Sequence, residues 1–294
     1  MKLHVIINPQ AANGRALPLV PKIAALLGPR HHAALTVSSS PGELRETITA
    51  AAQNGTDAVV LVGGDGTLHE ALPALCSARV PCAVIPVGRG NDFARNAGLP
   101  LEWRKACLLS CPRYAEINIP QVNGIPFGSV ACLGFDARVN QLARDGRGYF
   151  GGSAGYIVCV LKALGGFRPL EAEVTIDETG WSGKVTMVAV ANGPYYGGGM
   201  RIAPTASFSD GRLTVCIIRE TTRPELLRQF PKVFRGAHVG HPKVMLAQGK
   251  TVRVETRHGD EIFADGEFCS QAPAMCTIGS QKLRILLPDS VASW

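Results

Sequence analysis

The chain has no apolar run near the ~20 residues that a membrane-spanning helix needs, so no segment of it reads as a span. Aromatic residues are scarce, at 6%. A basic stripe interleaved with stacking rings is therefore missing, and nucleic acid is not an expected partner. The opening MKLHVIINPQ passes from a short strand-like run into Asn-Pro, without the apolar core and small-residue cleavage site of a secretory leader. The protein is expected to stay in the cytoplasm, where it is made. Cysteines are present but unpaired in pattern: nine are scattered singly, no CxxC occurs, and most lie in apolar runs, as Cys132, Cys159 and Cys216 do. An odd, unspaced set argues against a disulfide framework and for reduced thiols packed like small hydrophobes. Cys107 and Cys111, four apart, suit one helix face better than a zinc site.

What is present describes a folded, fairly apolar protein. Hydrophobic residues make up 46% of 294 and charged residues 18%, enough chain for two cores. The net charge of +7 favours acidic partners. The surplus gathers between Arg219 and Arg257, where nine basic residues face only Glu220, Glu225 and Glu255. That stretch reads either as a solvated face or as a surface for anionic lipid.

Periodicity divides the chain. Strand-like runs at 3–8, 32–38, 57–63 and 82–88 alternate with helical patterns at 17–27, 41–54 and 67–76, which predicts a buried, mainly parallel sheet. Beyond about residue 115 short alternating runs broken by Asn-Gly and Pro predict antiparallel strands. Helical patterns at 153–164 and 224–234 interrupt them. The expectation is a Rossmann-like α/β domain over 1–118, then a β-rich, sandwich-like domain over 119–294.

Two strand ends carry glycine clusters. In VVLVGGDGTLHE (59–70) an apolar strand ends on Gly63 and Gly64. Glycines there would allow φ > 0 and a close approach of main-chain N–H groups to a ligand. Thr67 would cap the next helix, whose N-terminus suits phosphate. Asp65 would repel phosphate unless a divalent cation lay between them. PVGRGNDFARNAGLP (86–100) repeats the design, with Asn91 and Asp92 opening a helix. No GxxxxGK[ST] loop exists, and the GxGxxG at Gly146, Gly148 and Gly151 follows no strand-like run.

Together IINPQAANGRA, GGDGTLHE, PVGRGNDFARNAGLP, NGPYYGGGMRIAPTASFSDGRLTV and FADGEF, in this order, resemble the diacylglycerol kinase catalytic-domain family across essentially the whole chain. The resemblance implies a lipid kinase using ATP and Mg2+, with a phosphofructokinase-like first domain, an extreme C-terminus that packs back on it, and the nucleotide in a cleft between the domains. It would place Asn8, Pro9 and Ser38 at the nucleotide. Gly63, Gly64, Asp65, Gly66 and Thr67 would line the phosphates, with Leu68, His69 and Glu70 continuing into the helix; Glu70 reads equally as structural. Gly88, Arg89, Asn91 and Asp92 would complete that site. Arg89 departs from the family, which commonly has threonine there, and its contact with nucleotide stays open. Asp210 matches a metal-associated aspartate, with backbone oxygens of Ser207 and Arg212 as further ligands and a plain Asp-Gly turn as the alternative; the Asp65 carboxylate is a separate candidate ligand, for a cation beside the phosphates.

Asp265 and Glu267 form the candidate catalytic pair, and on an extended strand they would share one face. Glu267 is the expected base, with Asp265 close behind; a turn at Gly266 would change the geometry. Tyr195, Tyr196 and Gly197 to Gly199 read as an acceptor-site wall or as a turn cluster. The expected partner is a lipid at the inner face of the membrane, met peripherally, and exposed edge strands leave room for a homodimer. The competing readings are a kinase of NAD or another small molecule, and a nucleotide-binding protein without catalysis.

Overall fold

The apolar runs at the start of the chain become the inner strands of a parallel sheet. In the computed structural model residues 1–12, 14–109, 113–144 and 153–291 are described, and they form two units: Met1–Ile119 with Ser280–Trp294, and Pro120–Gly279. The first holds β1 (Lys2–Ile7), α1 (Val20–Leu27), β2 (His32–Val37), α2 (Pro41–Gln53), β3 (Ala58–Gly63), α3 (Asp65–Ala78) and β4 (Cys82–Pro86). Two short helices follow, α4 (Asp92–Asn96) and α5 (Trp103–Ala106), then β5 (Tyr114–Asn118). The last strand of the chain, β17 (Lys282–Leu286), returns to this unit.

The sheet order is β2-β1-β3-β4-β17-β5, parallel throughout except for β5 against β17. Every residue of β3 is buried, so Val59 to Val62 need no polar alternation. Burying each such side chain stabilises the fold by about 1.5–3 kcal/mol. Helix α2 starts where Ser40 accepts the Glu43 N–H ahead of Pro41, and it ends at Asn54 before Gly55 turns with φ 68°. Helix α5 stops at Ala106, with Cys107 capping it, so no helix carries Cys107 onward; Cys111 lies outside the described residues.

The second unit contains β6 (Gln121–Val122), β7 (Ile125–Pro126), β8 (Val130–Gly134), α6 (Phe135–Arg144), α7 (Ser153–Gly166), β9 (Leu170–Ile176), β10 (Thr179–Ala191) and β11 (Leu213–Arg219). Then come α8 (Arg223–Val233), β12 (Val244–Gly249), β13 (Thr251–Thr256), β14 (Glu261–Ala264), β15 (Glu267–Gln271) and β16 (Ala274–Thr277). All pairings here are antiparallel. The long β10 pairs with β9 up to Val185 and with β8 and β11 beyond it. In that second half both faces are covered. Val188 and Val190 join one core with Val215, Ile217 and Val174, while Met187, Ala189 and Ala191 join another with Met200, Ile202 and Val233. Gly146, Gly148 and Gly151 lie outside the described residues.

Candidate functional site

Four parallel strands of the first unit end at the same edge. The ladder runs on past them, with the Asn8 N–H on the Val62 carbonyl (3.2 Å), Ser38 on Ile7 (2.9 Å) and Val87 on Gly63 (2.9 Å). From β1 the chain goes to one side for β2 and to the other for β3, so Asn8 and Gly64 flank a topological switch point, where open α/β sheets bind ligands. Asn8 spans it: its Nδ2 donates to Thr67 Oγ1 at 2.9 Å, and its Oδ1 accepts the Gln10 N–H at 2.9 Å.

Helix α3 begins two residues earlier than the pattern predicts, at Asp65 with Gly64 as N-cap and no side-chain cap. Thr67 does not cap it. Its hydroxyl is buried against Asn8, because the strand-to-helix turn is complete before residue 67. The glycines also serve otherwise than expected. Gly64 has φ −113°, and a Cβ on Gly63 would lie 2.4 Å from Thr67 Oγ1. A Cβ on Gly88 would lie 2.6 Å from Gly64 Cα and 2.7 Å from Asn91 Oδ1. The glycines thus bring the two turns into backbone contact. Positive φ falls instead on Asn91 (51°), a residue type that tolerates it, and Asn91 Nδ2 donates to the Gly88 carbonyl at 3.0 Å.

Asp65 ties the two turns together: its Oδ1 accepts the Phe93 N–H at 3.0 Å, in the first turn of α4, which has no side-chain cap of its own. Asp92 is buried, with Arg95 Nε 3.7 Å from its Oδ1, and Arg95 also reaches the Gly90 carbonyl at 3.3 Å. Arg89 is exposed and has no hydrogen bond or ion pair among the described residues. Ser38 is buried and donates its hydroxyl to the Ser40 carbonyl at 2.8 Å. Pro9 is half-buried next to Asn8. Leu68 is buried with its N–H on Gly64, while Gly66, His69 and Glu70 are half-buried on α3.

In the second unit Asp265 and Gly266 (φ 54° and 89°) make the two-residue turn between β14 and β15, with Ala264 paired to Glu267. The two carboxylates therefore do not share a strand face, because the chain reverses between them. Asp265 points back at the start of β8: Oδ2 accepts Gly128 N–H at 2.6 Å, and Oδ1 accepts Ser129 N–H at 2.7 Å and Val130 N–H at 3.4 Å. Asn192, fully buried, braces the same segment by donating Nδ2 to the Gly128 carbonyl at 2.8 Å. These partners lie 64 to 137 positions apart in the chain and left no local signal. Glu267 is exposed and unpaired among the described residues.

Asp210 closes an Asx turn, its Oδ1 accepting Arg212 N–H at 2.9 Å ahead of Gly211 (φ 68°), and Ser207 and Ser209 hydroxyls lie 3.2 Å apart beside it. Gly197, Gly198 and Gly199 all have φ > 0 in a loop closed by Tyr196 and Met200, which exchange backbone hydrogen bonds. Tyr196 and Met200 then line a narrow apolar cavity with Phe135, Ile202, Leu226 and Phe230.

Residues 2–116 match the diacylglycerol kinase catalytic domain, and residues 128–287 match the YegS C-terminal NAD kinase beta sandwich-like domain. A diacylglycerol kinase of Mycobacterium tuberculosis (strain H37Rv) is 35% identical over 298 residues, covering 98% of this chain and 95% of the relative. The chain belongs to the diacylglycerol kinase catalytic-domain family. Kinases of this family are phosphotransferases with an alcohol group as acceptor. A diacylglycerol kinase of Bacillus subtilis (strain 168) is 27% identical over 258 residues, 85% of this chain and 84% of that one. A crystal structure of a diacylglycerol kinase from Bacillus anthracis strain Sterne shares the fold, with TM-score 0.77 at 21% identity and coverage of 99% and 98%.

The first unit's donor set suits a family nucleotide. The uncapped N-terminus of a 14-residue helix, entered through Gly64, fits phosphate. The described residues hold no cluster of three or more His, Cys, Asp or Glu side chains that could hold a metal.

Proposed function

We propose that the chain is an ATP- and Mg2+-dependent lipid kinase that phosphorylates a hydroxyl of diacylglycerol or a similar lipid at the membrane surface. The observation that carries this reading is the backbone contact of Gly64 with Gly88, which brings together the turns before α3 and α4, with Asp65 opening the uncapped α3 and accepting the Phe93 N–H of α4. ATP with Mg2+ supplies the phosphoryl group and neutralises its charge. The chain's own part is positioning. Main-chain N–H groups at the start of α3 receive phosphate, Asn8 fixes Thr67 behind them, and Asp65 holds α4 in place while offering negative charge to a cation.

Glu267, unencumbered by other groups, takes the proton of the acceptor hydroxyl. Asp265 holds the turn that presents Glu267, since its oxygens are committed to the start of β8. The relatives named as diacylglycerol kinases support the class of the acceptor.

The test uses purified protein, labelled ATP and Mg2+ with a panel of lipids in mixed micelles and NAD beside them, wild type against Glu267→Ala. Label entering one lipid and lost in the variant is the expected result. Label entering NAD, or nothing labelled while ATP binds, would remove the lipid-kinase reading.

A further inference from the structure

Helix α8 divides its residues between two surfaces. Its inner face carries Leu226, Gln229, Phe230 and Val233, which wall the apolar cavity; Leu226 and Phe230 also pack on the core made by α6 and α7. Its outer face carries Leu227, Pro231 and Phe234 at i, i+4 and i+7, so they form one stripe. Leu227 and Phe234 are each 46% exposed, and Val239 of the following turn is exposed as well. Arg223 stands on one side of the stripe and Arg228, Lys232 and Arg235 on the other, all exposed.

None of these four cations has an ion-pair partner among the described residues. Glu225, the acidic residue of the helix, faces away. Its carboxylate is held by Lys243 Nζ at 2.7 Å and His241 Nε2 at 3.3 Å, and it also completes a capping box with Thr222. The helix therefore presents solvent with apolar side chains set between cations that have no ion-pair partner among the described residues.

We propose that this outer face of α8 is the surface by which the protein docks on an anionic bilayer. Charge complementarity selects the occupant: a protein core would leave four buried cations to be paired, whereas an anionic headgroup layer pairs them while Leu227 and Phe234 enter the acyl boundary. Docking would also bring the bilayer to the helix that walls the cavity on its other side. This deepens the lipid-kinase reading and rests on it for the reason a membrane is met at all.

The test is sedimentation of the full chain with phosphatidylcholine vesicles, with and without phosphatidylglycerol, beside a kinase assay on a short-chain, water-soluble diacylglycerol. Wild type should bind only the anionic vesicles. The triple variant R228Q/K232Q/R235Q should bind them about a hundredfold more weakly, at ~1 kcal/mol per cation, with phosphorylation of the soluble acceptor kept. The double variant L227Q/F234Q should also lose binding. Lys22→Gln with Arg45→Gln, exposed cations of the first unit, should change it little.

Binding equal in wild type and the triple variant, equal loss in the Lys22/Arg45 control, or no wild-type binding would each overturn the proposal. So would a dimer in sedimentation equilibrium that L227Q/F234Q converts to monomer, since the stripe would then be an interface between two copies. Vesicle binding that behaves as expected with no lipid phosphorylated would sustain the docking surface while removing the kinase reading.

Discussion

Replacing Gly88 with alanine adds one methyl group where two chain segments already touch. The new Cβ would stand 2.6 Å from Gly64 Cα, 2.7 Å from Asn91 Oδ1 and 3.5 Å from Gly64 N. The nearest neighbour is main chain, which cannot rotate aside, so the β3–α3 and β4–α4 turns must separate. Overpacking of this kind costs about 1–3 kcal/mol, and at about 3 °C per kcal/mol the melting temperature should fall by roughly 3–9 °C.

Gly165→Ala is the matched control. That glycine lies in α7 with nothing within 4 Å of an added Cβ, so alanine there should be neutral or stabilising by up to about 1 kcal/mol. Gly64→Ala, whose closest contact would be 3.0 Å, should fall between the two. Thermal melts by circular dichroism check the order, and hydrogen exchange over residues 63–68 and 87–93 checks the place. ATP affinity should drop with Gly88→Ala, since the rim that receives phosphate opens. A Gly88→Ala protein melting within about 1 °C of wild type, well short of the cost given above, would refute the reasoning.

Asp65→Asn removes the charge that holds the Phe93 N–H and should cost about 0.5–2 kcal/mol of stability, with a raised Mg2+ requirement in the kinase assay. On the proposed role of Glu267 as base, Glu267→Gln should lower kcat by about 10²–10⁴-fold with the KM for ATP unchanged. Burial pushes the Cys76 thiol up to about 11 and those of Cys107, Cys216 and Cys276 up to about 12. Peptide mapping after iodoacetamide at pH 8 should find these four unlabelled until denaturant is added. The Lys243 ammonium holds the Glu225 carboxyl below its ordinary range. A carboxyl lowered in the folded state stabilises fully above its unfolded value and loses that stabilisation as pH falls through the folded one. Acid melts of Lys243→Gln should therefore show a shallower decline than wild type on that limb.

Strand and helix order in the first 90 residues was legible because β3 and β4 are buried on both faces, β1 is apolar over most of its length, and α2 carries its own start and stop signals. The part of the sheet edge at Gly64 and Gly88 was legible too, since glycine clusters follow the runs that become β3 and β4, whereas Asn8 was placed there only by the family resemblance. The reason for the glycines was not legible. A contact between residues 64 and 88 leaves no trace in either segment, and local logic offered positive φ instead. Thr67 misled for a similar reason, because a threonine after glycines is a good cap unless a distant Asn8 occupies it. The Asp265–Gly266 turn did have a local signal: Asp-Gly between two short apolar runs is a strong hairpin pattern. What the sequence could not show was the hold of Asp265 on residues 128–130.

The return of the final strand has a consequence for how the protein is made. β17 lies between β4 and β5 and joins the two, yet everything from Pro120 to Gly279 is translated before it. At the usual 5–20 residues per second, roughly 10–30 s separate the emergence of β5 from that of its partner. Until then β4 has an open edge on that side, while the second unit can fold behind it. A chain released early from the ribosome would thus carry an unfinished sheet with an edge ready to pair wrongly. Completion of the first unit's sheet therefore reports that the second unit has already been synthesised.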